Sequence, residues 1–328
     1  MQSQGSANDY PIANSPLVKG KSQAQGCFNP FRRGPTWGML IGGEWPPGKD
    51  GVMPQQKLES VVDMAAKAKA LRRDVLRQVY MAQSGHPGGS LSWIDIGVAL
   101  YYREMTVFPE DPANPGRDRF VLSKGHACPA QYALLADQGF FPKAWLETFR
   151  QYPTKLQGHA ENHYTPGVEV TTGSLGQGLP QAVGIAIGLK VQRSDSRVYC
   201  VVGDGESQEG VIWEAAMAAP HHKLDNLCVF HDLNGLQIDG EVRKVMNINP
   251  VPDKWRAFGW AVKEIDGHDF TQILEALDWA RTVEGQPAMI CARTVKGKGV
   301  SFMENKLEWH YRSPSDELLA QALAEVEA

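Results

Sequence analysis

Nowhere in the 328 residues does an apolar run approach the roughly 18 residues of a membrane span, so no membrane partner is expected. Charge of one sign is also lacking. The formal net charge of −4 gives no reason to expect nucleic acid or an anionic surface as partner. Cysteine is scarce and scattered: Cys27, Cys128, Cys200, Cys228 and Cys291 form no CxxC pair and no metal-ligand spacing. Three of them lie in or beside apolar runs, which predicts buried free thiols in a reducing compartment, the cytoplasm. There is no internal repeat. Residues 1–56 lack any sustained apolar period, and sixteen of the fifty-six are Gly or Pro. This predicts a disordered leader without the apolar core of a secretory signal; a transit peptide stays open but is weakly supported, since basic residues are few. Met53 is a candidate native start, because Lys49-Asp50-Gly51 could be encoded by a purine-rich ribosome-binding stretch. An intact mass that included residues 1–52 would end that idea.

What is present begins at Leu58, and residues 57–328 read as one domain. Apolar positions from Leu58 to Val79 recur at helical spacing. The chain then enters Gly85-His86-Pro87-Gly88-Gly89, expected to be a tight loop presenting His86. Helices are expected at 93–103, 127–138, after the 171–178 glycines to about 191, and at 270–283. A last helix is expected to open at Ser313-Pro314. Strands are expected at 118–123, 198–202, 227–230, 260–265 and 288–293. Alternating strands and helices imply an α/β fold, a doubly wound, mostly parallel sheet of five or six strands with helices on both faces.

The most informative stretch is 202–240. It reads as strand, Gly203-Asp204-Gly205 turn, helix, strand and a loop bearing Asn234, a right-handed βαβ unit. Ligands of such sheets sit beyond the carboxyl ends of the strands, where Asp204 and Asn234 both fall. A carboxylate, an amide oxygen and the carbonyl of Leu236 suit a hard cation such as Mg²⁺, which shares its sites with phosphates. Gly203 and Gly205 allow backbone N–H groups close to a diphosphate.

Nine histidines are present, and four share an irregular, mostly glycine-flanked context: His86, His126, His159 and His310. Loops of that kind can converge on the same crevice, where imidazoles could bind hydroxyls, relay protons or stabilise an alkoxide. Their spacing is not that of a zinc site. His221 and His222 read as surface residues, and the structural reading is favoured for His163, His231 and His268.

The ordered strings SGHPGGSLS, DRFVLSKGHA, GH followed by TPGVEVTTGSLGQG, GDGESQEG-x-x-WEA and LNGLQIDG resemble transketolase over residues 58–328. The resemblance implies a thiamine diphosphate-binding fold, with thiamine diphosphate and Mg²⁺ (or Ca²⁺ or Mn²⁺) as cofactors. It implies Asp204, Asn234 and the Leu236 carbonyl as metal ligands. Gly173, Leu175, Gly203, Asp204, Gly205, Glu206, Asn234 and His126 would contact the cofactor. His86, His126, His159 and His310 would be the catalytic histidines, and Glu209 would join a carboxylate network between two active sites.

Transketolases of the usual kind are roughly twice as long. The absent half holds the pyrimidine-binding domain and its activating glutamate, for which no Glu here substitutes by motif. The expectation is therefore the N-terminal subunit of a split transketolase, active only with a separate C-terminal subunit in an α2β2 assembly. It would transfer a two-carbon ketol unit between sugar phosphates, ordinarily those of the pentose phosphate reaction. The alternatives are an α-type subunit of a thiamine-dependent oxoacid dehydrogenase, deoxyxylulose-phosphate synthase, and a non-catalytic cofactor-binding subunit.

Overall fold

A computed structural model describes residues 55–327. The expected leader, the candidate start at Met53 and Cys27 lie outside the described residues. Helix α1 (Val61–Ala82) begins where Ser60 accepts a hydrogen bond from the N–H of Asp63, 3.0 Å away, a capping arrangement that satisfies one free amide. Met64, Ala68, Leu71, Val75 and Val79 form its buried face, and Gln83 closes it in the left-handed region.

The chain continues through α2 (Pro87–Leu91), α3 (Ile94–Ala99), β1 (Arg119–Leu122), α4 (Cys128–Gln138), α5 (Gly178–Val191) and β2 (Val198–Gly203). Next come α6 (Gly210–His221), β3 (Leu227–Leu233), a small β4–β5 hairpin (Leu236–Gln237 and Gly240–Glu241), α7 (Val242–Val245) and α8 (Val251–Ala257). The last elements are β6 (Ala261–Asp266), α9 (Phe270–Thr282), β7 (Ala288–Arg293) and α10 (Asp316–Glu327).

The main sheet is five-stranded and wholly parallel, in the order β1-β2-β3-β7-β6. Alternate residues feed opposite layers. Tyr199, Val201, Cys228, Phe230 and Ile290 pack among the buried side chains of α1, α3, α4 and α9. Val198, Cys200, Val202, Leu227, Val229 and Met289 pack among those of α5, α6 and α8. A parallel sheet covered on both faces explains why its strands read as near-continuous apolar runs. Winding reverses between β3 and β7, which is where such sheets open a crevice at their carboxyl edge. Among the described residues no helix is long and apolar enough to cross a membrane.

Three local expectations are corrected. Residues 87–91 are a helical turn, with both glycines inside it. A Cβ on Gly88 would lie 2.7 Å from the carbonyl oxygen of Trp309, so the glycine is there for close approach of the segment before His310. The expected helix at 93–103 is α-helical only to Ala99 and widens to a π turn over Leu100–Glu104. The last helix opens two residues later than Ser313-Pro314 suggested. Ser315, whose hydroxyl accepts from the N–H of Leu318, is its cap.

Candidate active site

Four strand ends supply the site. β1 ends in Ser123-Lys124-Gly125-His126, β2 in Asp204-Gly205, β3 in Asn234 and β7 in Thr294-Val295-Lys296. The β2–β3 register pairs Gly203 with Asp232, so Asp204 and Asn234 leave the sheet side by side. Asp204 Oδ2 accepts the N–H of Gly235 at 2.6 Å, and Asn234 Oδ1 accepts that of Leu236 at 3.1 Å. Both oxygens and the Leu236 segment line one cavity of about 380 Å³. Burial, and then the neighbouring Asp232, push the Asp204 carboxyl up to about 7.

The four singled-out histidines line that same cavity. The ring of His86 lies 5.1 Å from that of His126, 5.5 Å from that of His310 and 6.2 Å from that of His159, while His126 stacks on His310 at 5.4 Å. Burial, and then His310, pull the His86 imidazole down to about 3; burial, and then Lys296, do the same for His310. His126 is held well below the ordinary range by burial and then His86. His159 is lowered by burial and then Arg150. Neutral imidazoles offer one donor and one acceptor each.

The other five histidines lie elsewhere. His163 is exposed beside Glu161, and His221 and His222 sit at the exposed end of α6. His231 is buried and accepts from Trp255 Nε1. His268 bridges Asp95 and the N–H of Val295, which braces the loop that carries Lys296.

Gly173, Leu175, Gly203, Gly205 and Glu206 also line the cavity. Both Glu206 oxygens are engaged by the protein itself. One accepts from Ser123 Oγ and from the N–H of Gly176 at 3.0 Å, the other from the N–H of Gly203 at 3.0 Å. This glutamate therefore knits β1, the 173–176 turn and β2 together. Glu209 is exposed at the edge of the cavity.

Two cations were not singled out from the sequence. Lys124 forms a buried ion pair with Asp232 and donates to the Gly89 carbonyl at 2.9 Å. Lys296 Nζ lies 2.9 Å from His310 Nδ1, and among the described residues no carboxylate pairs with it. Burial, and then Lys124, pull its ammonium down to about 8. Both lysines sit in glycine-flanked segments after strand ends, the same context that singled out the histidines. Ile238 is a further lining residue, apolar and 61% exposed at the cavity.

Oxygen donors facing buried cations at the carboxyl edge of a parallel sheet are the chemistry that suits an anionic group and a hard cation. Comparison with known proteins makes this specific. Residues 63–322 match the family described as transketolase, thiamine diphosphate binding domain. The 6-deoxy-6-sulfo-D-fructose transketolase subunit of Clostridium sp. (strain MSTE9) is 44% identical over 82% of this chain and 98% of its own length. An apulose-4-phosphate transketolase subunit from Actinobacillus succinogenes is 41% identical over 80% and 96%. The crystal structure of transketolase from Campylobacter jejuni superposes with a TM-score of 0.78 at 35% identity, over 82% of this chain and 43% of that one. The chain belongs to the transketolase family and carries its thiamine diphosphate-binding domain. The match spans 96–98% of relatives that are named as single subunits, but only 43% of the full-length Campylobacter jejuni transketolase. Membership selects the transketolase reading over the oxoacid-dehydrogenase alternative.

Proposed function

We propose that this chain is the cofactor-holding subunit of a two-chain transketolase that moves a two-carbon ketol unit from a ketose to an aldose. The observation that carries the reading is the convergence of His86, His126, His159 and His310 on the cavity that also holds Asp204 and Asn234. Thiamine diphosphate supplies the electron sink for breaking and making a carbon–carbon bond next to a carbonyl. The donor set fits it. Asp204, Asn234 and the Leu236 carbonyl offer only oxygens, as Mg²⁺ prefers, and Lys296, which no carboxylate pairs among the described residues, would offset diphosphate charge. Gly173, Leu175, Gly203 and Gly205 form the walls. His86 and His310 hold the oxygens on which charge develops, and His126 and His159 bind hydroxyls near the carbonyl.

Glu209, exposed and lining the cavity, would join the carboxylate network to a second active site in an assembly of two such chains with two C-terminal subunits. The two relatives above are named for a sulfonated and a phosphorylated ketose, so the donor expected here is a ketose with an anionic group. Four buried thiols without disulfide partners among the described residues suit a reducing, cytoplasmic setting.

The test is to mix the purified chain with a separate C-terminal transketolase subunit. Ketol transfer to an aldose phosphate is then assayed from pentose phosphates, apulose 4-phosphate and 6-deoxy-6-sulfofructose. Transfer is expected only from the mixture, and His310→Ala should lower its kcat by about 10²–10⁴-fold. A cofactor-loaded pair that transfers from none of these donors would favour a non-catalytic subunit.

A further inference from the structure

Arg150 reaches three of the four histidine-bearing segments. Its Nη1 donates to Ser84 Oγ at 2.8 Å, two residues before His86, and its Nη2 donates to the Gly158 carbonyl at 3.1 Å, one residue before His159. The guanidinium lies 5.5 Å from the ring of Tyr311, which follows His310, and Nη1 is 3.4 Å from its hydroxyl. That hydroxyl in turn bonds Ser84 Oγ at 2.9 Å, and the Tyr311 ring packs 4.8 Å from that of His86. The arginine is held firmly. Its backbone is left-handed, with φ of 60°, and its N–H donates to the Leu156 carbonyl. Among the described residues no ion pair uses it. Its Nη2 also lies 3.5 Å from Nδ1 of His86.

A guanidinium can only donate, so the nitrogen it meets must be an acceptor, and a neutral imidazole then keeps its proton on the other nitrogen. Lys296 does the same at Nδ1 of His310. Neither Nδ1 faces a carboxylate, the group that would orient an imidazole as a base. We infer that Arg150 is a positioning residue: by donating to Nδ1 of His86 while tied to the segments of His159 and His310, it holds His86 neutral with its proton on Nε2. His86 then offers an N–H donor to a substrate oxygen and is not the base. The chemical consequence rests on the ketol-transfer reading; the protonation state does not.

The charged and titratable groups facing His86 are Arg150, Lys296, His126, His159, His310 and Tyr311, with no carboxylate among its named neighbours. All the nearby cationic groups disfavour the imidazolium, and burial does so most strongly.

The experiment uses the full chain with ¹⁵N-labelled imidazoles, without partner or substrate, so that an inactive pair leaves its result standing. Long-range ¹H–¹⁵N spectra are followed from about pH 5.5 to about pH 8.5, a window spanning the ordinary histidine pKa, with His86→Gln giving the assignment. In the wild type, His86 should stay neutral with its proton on Nε2 throughout. A proton on Nδ1, or a midpoint near the ordinary value, overturns the inference. In Arg150→Gln His86 should stay neutral across this window, because burial remains, but both tautomers should appear. Arg150→Lys keeps the charge but not the fork, so it too should mix the tautomers. It also serves if the Gln variant fails to fold. His86 signals unchanged in the folded variants would equally overturn the assignment.

Discussion

Asp204→Asn should weaken cation-dependent retention of thiamine diphosphate by about 100-fold or more, because it removes the formal charge from the oxygen cluster that would hold the cation. The substitution separates charge from shape. An Asn oxygen can still accept the 2.6 Å bond from Gly235 that fixes the Asn234 loop, so the cavity should keep its form. Calorimetric titration with Mg²⁺ and cofactor reads the loss directly, and unchanged affinity would remove Asp204 from the metal site. A pH dependence accompanies it. The carboxyl is raised to about 7 by burial and then Asp232, so below that pH a proton competes with the cation, and affinity should fall about tenfold per unit. For the cation-free chain the sign is opposite to that of a salt-bridged carboxylate. The folded state binds the proton more tightly than the unfolded one. This contribution is thus fully present below the ordinary carboxylate range and is lost as pH rises to about 7. Melting temperatures with and without Mg²⁺ should therefore diverge as pH rises through that window.

Lys124→Met should cost about 3–5 kcal/mol of stability, which for a chain of this size lowers Tm by roughly 10 °C. Lys124 and Asp232 are 3% and 0% exposed, and the carboxylate also accepts from Ser92 Oγ at 2.6 Å and from Thr294 Oγ1. Burial alone would push the Asp232 carboxyl up, but Lys124 and these hydroxyls hold it below its usual range. Without Lys124 that charge is stranded in the interior. Lys190→Met is the control: its pair with Asp225 is 37% and 35% exposed and should change stability by no more than about 1 kcal/mol. Equal losses in the two variants, read by thermal or urea unfolding, would show that the buried pair is not specially needed.

The sheet and the position of the site were legible because their signals are local. Runs such as 198–202 and 227–230 follow short polar turns and end near glycine-bearing loops, and a parallel sheet places its ligands at the carboxyl edge whatever the side chains are. The convergence of four histidines was legible only as an inference from context. Their spacing follows no helical or sheet period, and tertiary packing of separate loops brings the rings together. Lys124, Lys296 and Arg150 were missed for a different reason. A cation in a sequence is by default a solvated surface group, and the glycine-flanked setting of Lys296 does not outweigh that default, although the residue is 2% exposed beside His310. The helical turn at 87–91 was missed because Pro-Gly-Gly is a breaker by propensity. Here a Pro at the first position and close contact with the segments around His126 and Trp309 outweigh that propensity.

The three clasps of Glu206 bear on how a ligand would arrive. With β1, the 173–176 turn and β2 already bound to one carboxylate, the walls of the cavity are ordered by folding itself. A cofactor entering such a cradle has little backbone to organise. The conformational entropy lost on capture is small, and these walls should move by no more than about 1 Å between empty and filled states.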